Sequence, residues 1–181
     1  MVSAGGDNSV HLWKIGSNEE PKTLSLHTDE VWGLAVNSDG TLIASGANDK
    51  EIRLWHAERH QDLKTFQGHH GLIDSLAFSP LGRWLASSSN DQTVRLWEIS
   101  SDRCIVLRGA NGPVWCVAFT PDGMSLAAAG LDSQISVWNM AEIERLLVMN
   151  PNKLLDESVD RCGEKTDDSG VVHSVTKISS P

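Results

Sequence analysis

Four short segments of this chain end in the same way, and their spacing constrains the fold more than any other feature. They are Val10-His11-Leu12-Trp13, Ile52-Arg53-Leu54-Trp55, Val94-Arg95-Leu96-Trp97 and Ile135-Ser136-Val137-Trp138. The tryptophans stand 42, 42 and 41 residues apart, and each follows an aspartate by six residues: Asp7, Asp49, Asp91 and Asp132. His27 and His69 each lie 22 residues before the aspartate of their repeat. A turn signal falls between them each time, at Ser38-Asp39-Gly40, Pro80-Leu81-Gly82 and Pro121-Asp122-Gly123. Several independent features recur in register, so the chain is an array of one structural unit of about 42 residues.

Within each period the hydrophobic pattern and turn residues predict four strands. The first spans Val31–Asn37, Ile73–Ser79 and Val114–Thr120. The second spans Leu42–Gly46, Trp84–Ser88 and Ser125–Ala129. The third spans Glu51–His56, Thr93–Glu98 and Gln134–Asn139. The fourth spans Thr23–His27, Leu63–Gln67, Cys104–Arg108 and Arg145–Met149. Runs such as Leu76-Ala77-Phe78 and Val117-Ala118-Phe119 are apolar on both faces. That suits sheets covered by a neighbour on each side.

With its Gly68-His69 … Asn90-Asp91 … Val94-Arg95-Leu96-Trp97 signature, the chain resembles the WD-repeat (WD40) β-propeller family over residues 1–149. The resemblance implies an all-β fold of four-stranded antiparallel blades. It also implies a structural tetrad within each blade. Two are complete here: His27, Ser45, Asp49, Trp55 and His69, Ser87, Asp91, Trp97. An indole N–H only donates, a hydroxyl accepts and passes on a proton, a neutral imidazole does both, and a carboxylate ends the relay. A hydrolase triad of Ser, His and Asp is the competing reading. It fails because the trio repeats and no Gly-x-Ser-x-Gly elbow is present. In the next repeat Ala110 and Ala128 stand at the histidine and serine positions, which leaves Asp132 and Trp138 to rely on packing.

Composition narrows the function. Asp plus Glu outnumber Lys plus Arg by 24 to 15, which disfavours a general nucleic-acid or anionic-membrane surface. No apolar run reaches the ~20 residues of a membrane span. Cys104, Cys116 and Cys162 are scattered and without CxxC spacing, as expected of reduced thiols. With no export signal at the first residues, the expected location is cytoplasmic. His69 and His70 are adjacent and so point to opposite faces of a strand, which argues against a shared metal. No cofactor is expected.

The resemblance implies a non-catalytic scaffold that binds a protein or peptide on the face around the propeller channel. Three positions per repeat carry over to that face: Glu30, Trp32 and Asn48; Leu72, Asp74 and Asn90; Pro113, Trp115 and Leu131. Aromatic anchors beside Glu30 and Asp74 would suit a partner with basic and apolar residues. The alternative is an enzyme or small-molecule-binding propeller with its site in the channel.

Propellers close with 4–8 blades, and a seven-bladed ring of this period needs on the order of 290 residues. A chain of 181 residues is therefore expected to form an open arc. The rest of a longer propeller chain, or self-association, would complete it. After the arc, residues 150–163 are expected to carry a short helix, Pro151–Cys162, with Asn150 as N-cap and Gly163 past its end. Residues 164–181 are expected to form a disordered tail.

Overall fold

The computed structural model describes residues 1–149 and 176–178. Strands β1 (Val2–Ala4), β2 (Val10–Leu12) and β3 (Lys22–Leu24) form a first, three-stranded sheet. The second is β4 (Val31–Val36), β5 (Leu42–Ala47), β6 (Ile52–His56) and β7 (Gln61–Phe66). The third is β8 (Ile73–Phe78), β9 (Trp84–Ser89), β10 (Val94–Glu98) and β11 (Cys104–Leu107). The fourth is β12 (Val114–Phe119), β13 (Ser125–Gly130), β14 (Ile135–Asn139) and β15 (Thr176–Ile178), with helix α1 (Met140–Met149) between its last two strands. Every sheet is an antiparallel meander in chain order. In the last three, the first three strands fall within one residue of their sequence-derived ends.

The turn chemistry repeats as faithfully as the strands. Gly40, Gly82 and Gly123 adopt φ of +76°, +72° and +71°, and their N–H groups bond the carbonyls of Asn37, Ser79 and Thr120. A side chain would be strained there, which is why glycine closes this turn. The next hairpin turns through the tetrad aspartate, and the residue after it is left-handed in every sheet: Asn8, Lys50, Gln92 and Ser133.

The core lies between sheets. One apolar cluster joins Val10 and Leu24 of the first sheet to Val31, Ile43, Ala47 and Trp55 of the second. Another sets Ala44, Ile52, Leu54 and Phe66 against Ile73, Leu76, Leu85 and Trp97. The third sets Ala86, Val94 and Leu96 against Val117, Leu126 and Trp138. Between neighbouring sheets, the tryptophan face of the later one thus meets the β-branched and leucine face of the earlier one. Among the described residues no apolar cluster joins the fourth sheet to the first, so the four form an open arc.

One expectation for the C-terminal part needs correction. Arg145–Met149 is not the outer strand of the last sheet. Residues Met140–Met149 form α1. Asn139 caps it, its Oδ1 accepting the Glu142 N–H at 3.2 Å. Met140, Ile143 and Leu147 recur at helical spacing and are buried in the third cluster with Trp84. Trp84 Nε1 also donates to Glu144 Oε1 at 3.2 Å. The outer strand is instead β15, paired with β14 through Ile135–Ile178, Ser136–Lys177 and Val137–Thr176. The unpaired edge of β14 recruits a short β-branched segment. The helix expected at Pro151–Cys162 lies outside the described residues.

Candidate protein-interaction face

The inner strands β4, β8 and β12 carry the same irregularity. Register against the next strand shifts between Val31 and Gly33, between Ile73 and Ser75, and between Val114 and Cys116. The extra residues are Trp32, Asp74 and Trp115. A bulge re-aims the side chain it carries and frees it from the sheet ladder. Trp32 and Trp115 are accordingly 59% and 51% exposed, although Val31 and Val114 beside them are buried. Sheet after sheet, the inner edge therefore turns one side chain away from the inter-sheet core.

A second contact, also repeated, brings the remaining positions together. The Asn48 N–H donates to Glu30 O at 2.9 Å, Asn90 N–H to Leu72 O at 3.0 Å, and Leu131 N–H to Pro113 O at 2.9 Å. In each sheet the residue before the tetrad aspartate is thus held beside the residue two before the bulge. Glu30, Asn48, Asn90 and Leu131 are exposed; Leu72 and Pro113 are half-buried. Asn48 is further tied down, because its Nδ2 donates to Asp29 Oδ2 at 2.7 Å. Asp29 was not among the sequence-derived positions, and its carboxylate adds to the negative side of the face.

Asp74 is the half-buried member of the bulge series. Its Oδ2 is buried with no hydrogen-bond partner among the described residues. Desolvation pushes its pKa up to about 6.

Behind this face, two tetrads lock the connections to the sheets. His27 Nδ1 lies 2.8 Å from Asp49 Oδ2 and His27 Nε2 lies 2.8 Å from Ser45 Oγ, which accepts the Trp55 indole N–H at 2.8 Å. His69, Asp91, Ser87 and Trp97 repeat this at 2.7, 2.7 and 2.8 Å. Because serine accepts from the indole, its O–H donates to Nε2, and Nδ1–H donates to the carboxylate. Burial lowers the His69 pKa despite the raising effect of Asp91, which keeps the ring in the neutral form this relay requires. Burial opposes ionisation of Asp91, yet bonds from His69, Thr93 and the His70 N–H hold it well below the usual carboxylate range. Its neighbour His70 is exposed and contributes only its backbone to the network.

Partial versions bracket these two. In the first sheet Trp13 Nε1 donates to Ser3 Oγ at 2.8 Å, while Asp7 bonds His11 at 2.6 Å. The Ser3–Trp13 pair is legible in sequence, since Ser3, Ser45 and Ser87 each stand ten residues before their tryptophan. In the fourth sheet Asp132 still accepts the N–H groups of Asn111 and Gln134 at 3.0 and 3.1 Å.

A family model described as WD domain, G-beta repeat matches residues 18–56, 60–98 and 101–139 of the chain. The three matches span the second, third and fourth periods. Among the described residues, no helix is long and apolar enough to cross a membrane.

Proposed function

Because the chain belongs to the WD-repeat family, whose repeats generally mediate protein–protein scaffolding, we propose that it binds a protein or peptide on the face formed by its inner strands. The observation that supports this reading is the coincidence of three bulges at equivalent positions, carrying Trp32 on β4, Asp74 on β8 and Trp115 on β12. Exposed tryptophans are the residue type that most often anchors an interface. They also attract cations to their ring faces. Glu30, Asp29 and Asp74 add negative charge. The fitting partner is a segment with Lys or Arg beside an apolar residue, and the chain acts on it as a non-catalytic scaffold.

The test is a peptide array that varies charge and apolar content, followed by titration of the best binder. The double variant Trp32→Ala/Trp115→Ala should weaken binding at least tenfold, and Glu should not replace Lys or Arg in the peptide. Unchanged affinity in the double variant removes this face from the reading.

Asp74 gives a second reading its support. A carboxyl held near 6 suits acid–base chemistry in a channel site. A panel of metabolites in a thermal-shift screen separates the two. A saturable shift that Asp74→Asn abolishes favours the small-molecule site.

A further inference from the structure

The two ends of the arc expose opposite halves of the same interface. Within the arc, each tryptophan face is covered by the preceding sheet. Trp55, Trp97 and Trp138 are each 2% exposed, and their cross-strand partners Ile43, Leu85 and Leu126 are fully buried. On the first sheet the equivalent pair, Trp13 and Met1, is 41% and 68% exposed. The indole of Trp13 is nevertheless set as its buried counterparts are, on the hydroxyl of Ser3.

The other end mirrors this. Two cross-strand rows face forward on each complete sheet. In the second sheet they are Gly33–Gly46–Ile52 and Ala35–Ala44–Leu54; in the third, Ser75–Ser88–Val94 and Ala77–Ala86–Leu96. These rows are packed under the next sheet. In the fourth sheet they read Cys116–Ala129–Ile135 and Ala118–Ala127–Val137. The chemistry is that of an inter-sheet face, small residues followed by a β-branched one. Yet Ile135 is 46% exposed where Ile52 and Val94 are 0% and 1%.

We propose that two copies of this chain associate head to tail, the Met1/Trp13 face of each covering the Ala127/Ile135/Val137 face of the other. Among the described residues neither face is covered by another sheet, and the cover that fits each is a sheet of the kind the chain carries at its opposite end. Three such interfaces already hold each arc together. A pairing of unlike faces either closes a ring or grows without limit. Two arcs of four sheets contain eight, which is within the range at which propellers close. This inference does not depend on what binds the inner face.

Sedimentation velocity of the full chain tests it. The expected species has twice the 19.7 kDa of one chain. Ile135→Lys and Trp13→Glu, both at exposed positions, should each give folded monomers by far-UV circular dichroism. Mixed in equal amounts they should form a dimer again, since one intact pair of faces remains. Mass-resolved alkylation supplies a second readout. Cys116 lies in the covered row, so it should react at least tenfold more slowly in the wild-type chain than in Ile135→Lys. A wild-type monomer at ~100 μM overturns the proposal and leaves both faces to other blades. An open series of oligomers overturns the two-chain ring. Equal Cys116 rates, or variants that do not rescue one another, overturn the pairing of these faces.

Discussion

Trp138 Nε1 is buried and bonded to nothing among the described residues, and the reason is Ala128. In the two preceding sheets the same indole N–H donates to a serine hydroxyl at 2.8 Å, from Ser45 and from Ser87. Alanine at that position removes the acceptor but not the donor. An unsatisfied buried N–H costs roughly 1–3 kcal/mol. The fourth repeat also lacks the histidine, although Gly109 before Ala110 keeps the φ of Gly68 before His69, +142° against +145°. The double variant Ala110→His/Ala128→Ser should therefore rebuild the relay onto Asp132 and stabilise the chain by about 1–3 kcal/mol. Urea denaturation followed by tryptophan fluorescence measures it, and a loss of stability would show that the site no longer has room for the imidazole.

The converse substitution isolates the intact network. Ser87→Ala leaves both the Trp97 N–H and His69 Nε2 without partners in a buried site. It should cost about 2–4 kcal/mol, more than the ~1 kcal/mol of one net hydrogen bond. A cost below 1 kcal/mol would mean that the network merely fills space.

Acid should weaken the fold through the same residues. His69 has a lowered pKa in the folded chain, so the unfolded chain takes up its proton first. Its contribution is complete above the ordinary value of 6.5 and is lost as pH falls below it. Asp91 is likewise lowered, and its contribution is lost as pH falls below its ordinary 3.8. Stability measured from pH 8 to 4 should decline from about pH 6.5 downward, and His69→Gln should flatten the upper part of that decline.

Asp74 has the opposite sign. Its folded pKa is raised from 3.8 to about 6, so the folded chain holds the extra proton between those values. Stability from this group therefore falls as pH rises from 3.8 to about 6. Solvent screening of a half-buried carboxyl keeps the effect to about 1 kcal/mol. Asp74→Asn should stabilise the chain by that amount at pH 8 and not at all at pH 4. On the proposed binding face the same group should tighten a cationic peptide above pH 6 and loosen it below. A pH-independent Kd in wild-type protein would take Asp74 out of recognition.

Gly46 tests the packing between sheets. A Cβ there would lie 2.5 Å from Ile73 Cγ2 of the next sheet, closer than real contacts allow. Gly46→Ala should cost about 1–3 kcal/mol by forcing the second and third sheets apart. Combined with Ile73→Ala, which removes the crowding Cγ2, Gly46→Ala should cost less than it does alone.

What was legible in the sequence is the periodic part. Trp55, Trp97 and Trp138 recur with their aspartates because each blade solves the same local problem. Alternating burial, a glycine turn and a relay of donors leave a pattern that survives without the coordinates. The tetrad partners could be named because the repeat resembles the WD family, whose tetrad sets a serine and a histidine between a donor-only indole and an acceptor-only carboxylate. Residues 140–149 were not legible in this way. Arg145–Met149 has the apolar content of a strand, and only the contact of Ile143 and Leu147 with Trp84 decides for a helix. Thr176–Ile178 has no local signal strong enough to define it, and it forms because β14 offers an open edge. The bareness of Trp13 and Ile135 is likewise absent from their segments, which match those of buried counterparts. Burial belongs to the neighbouring sheet and not to the residue, so the tertiary structure alone decided which copies of one repeated pattern are covered and which are left open to solvent.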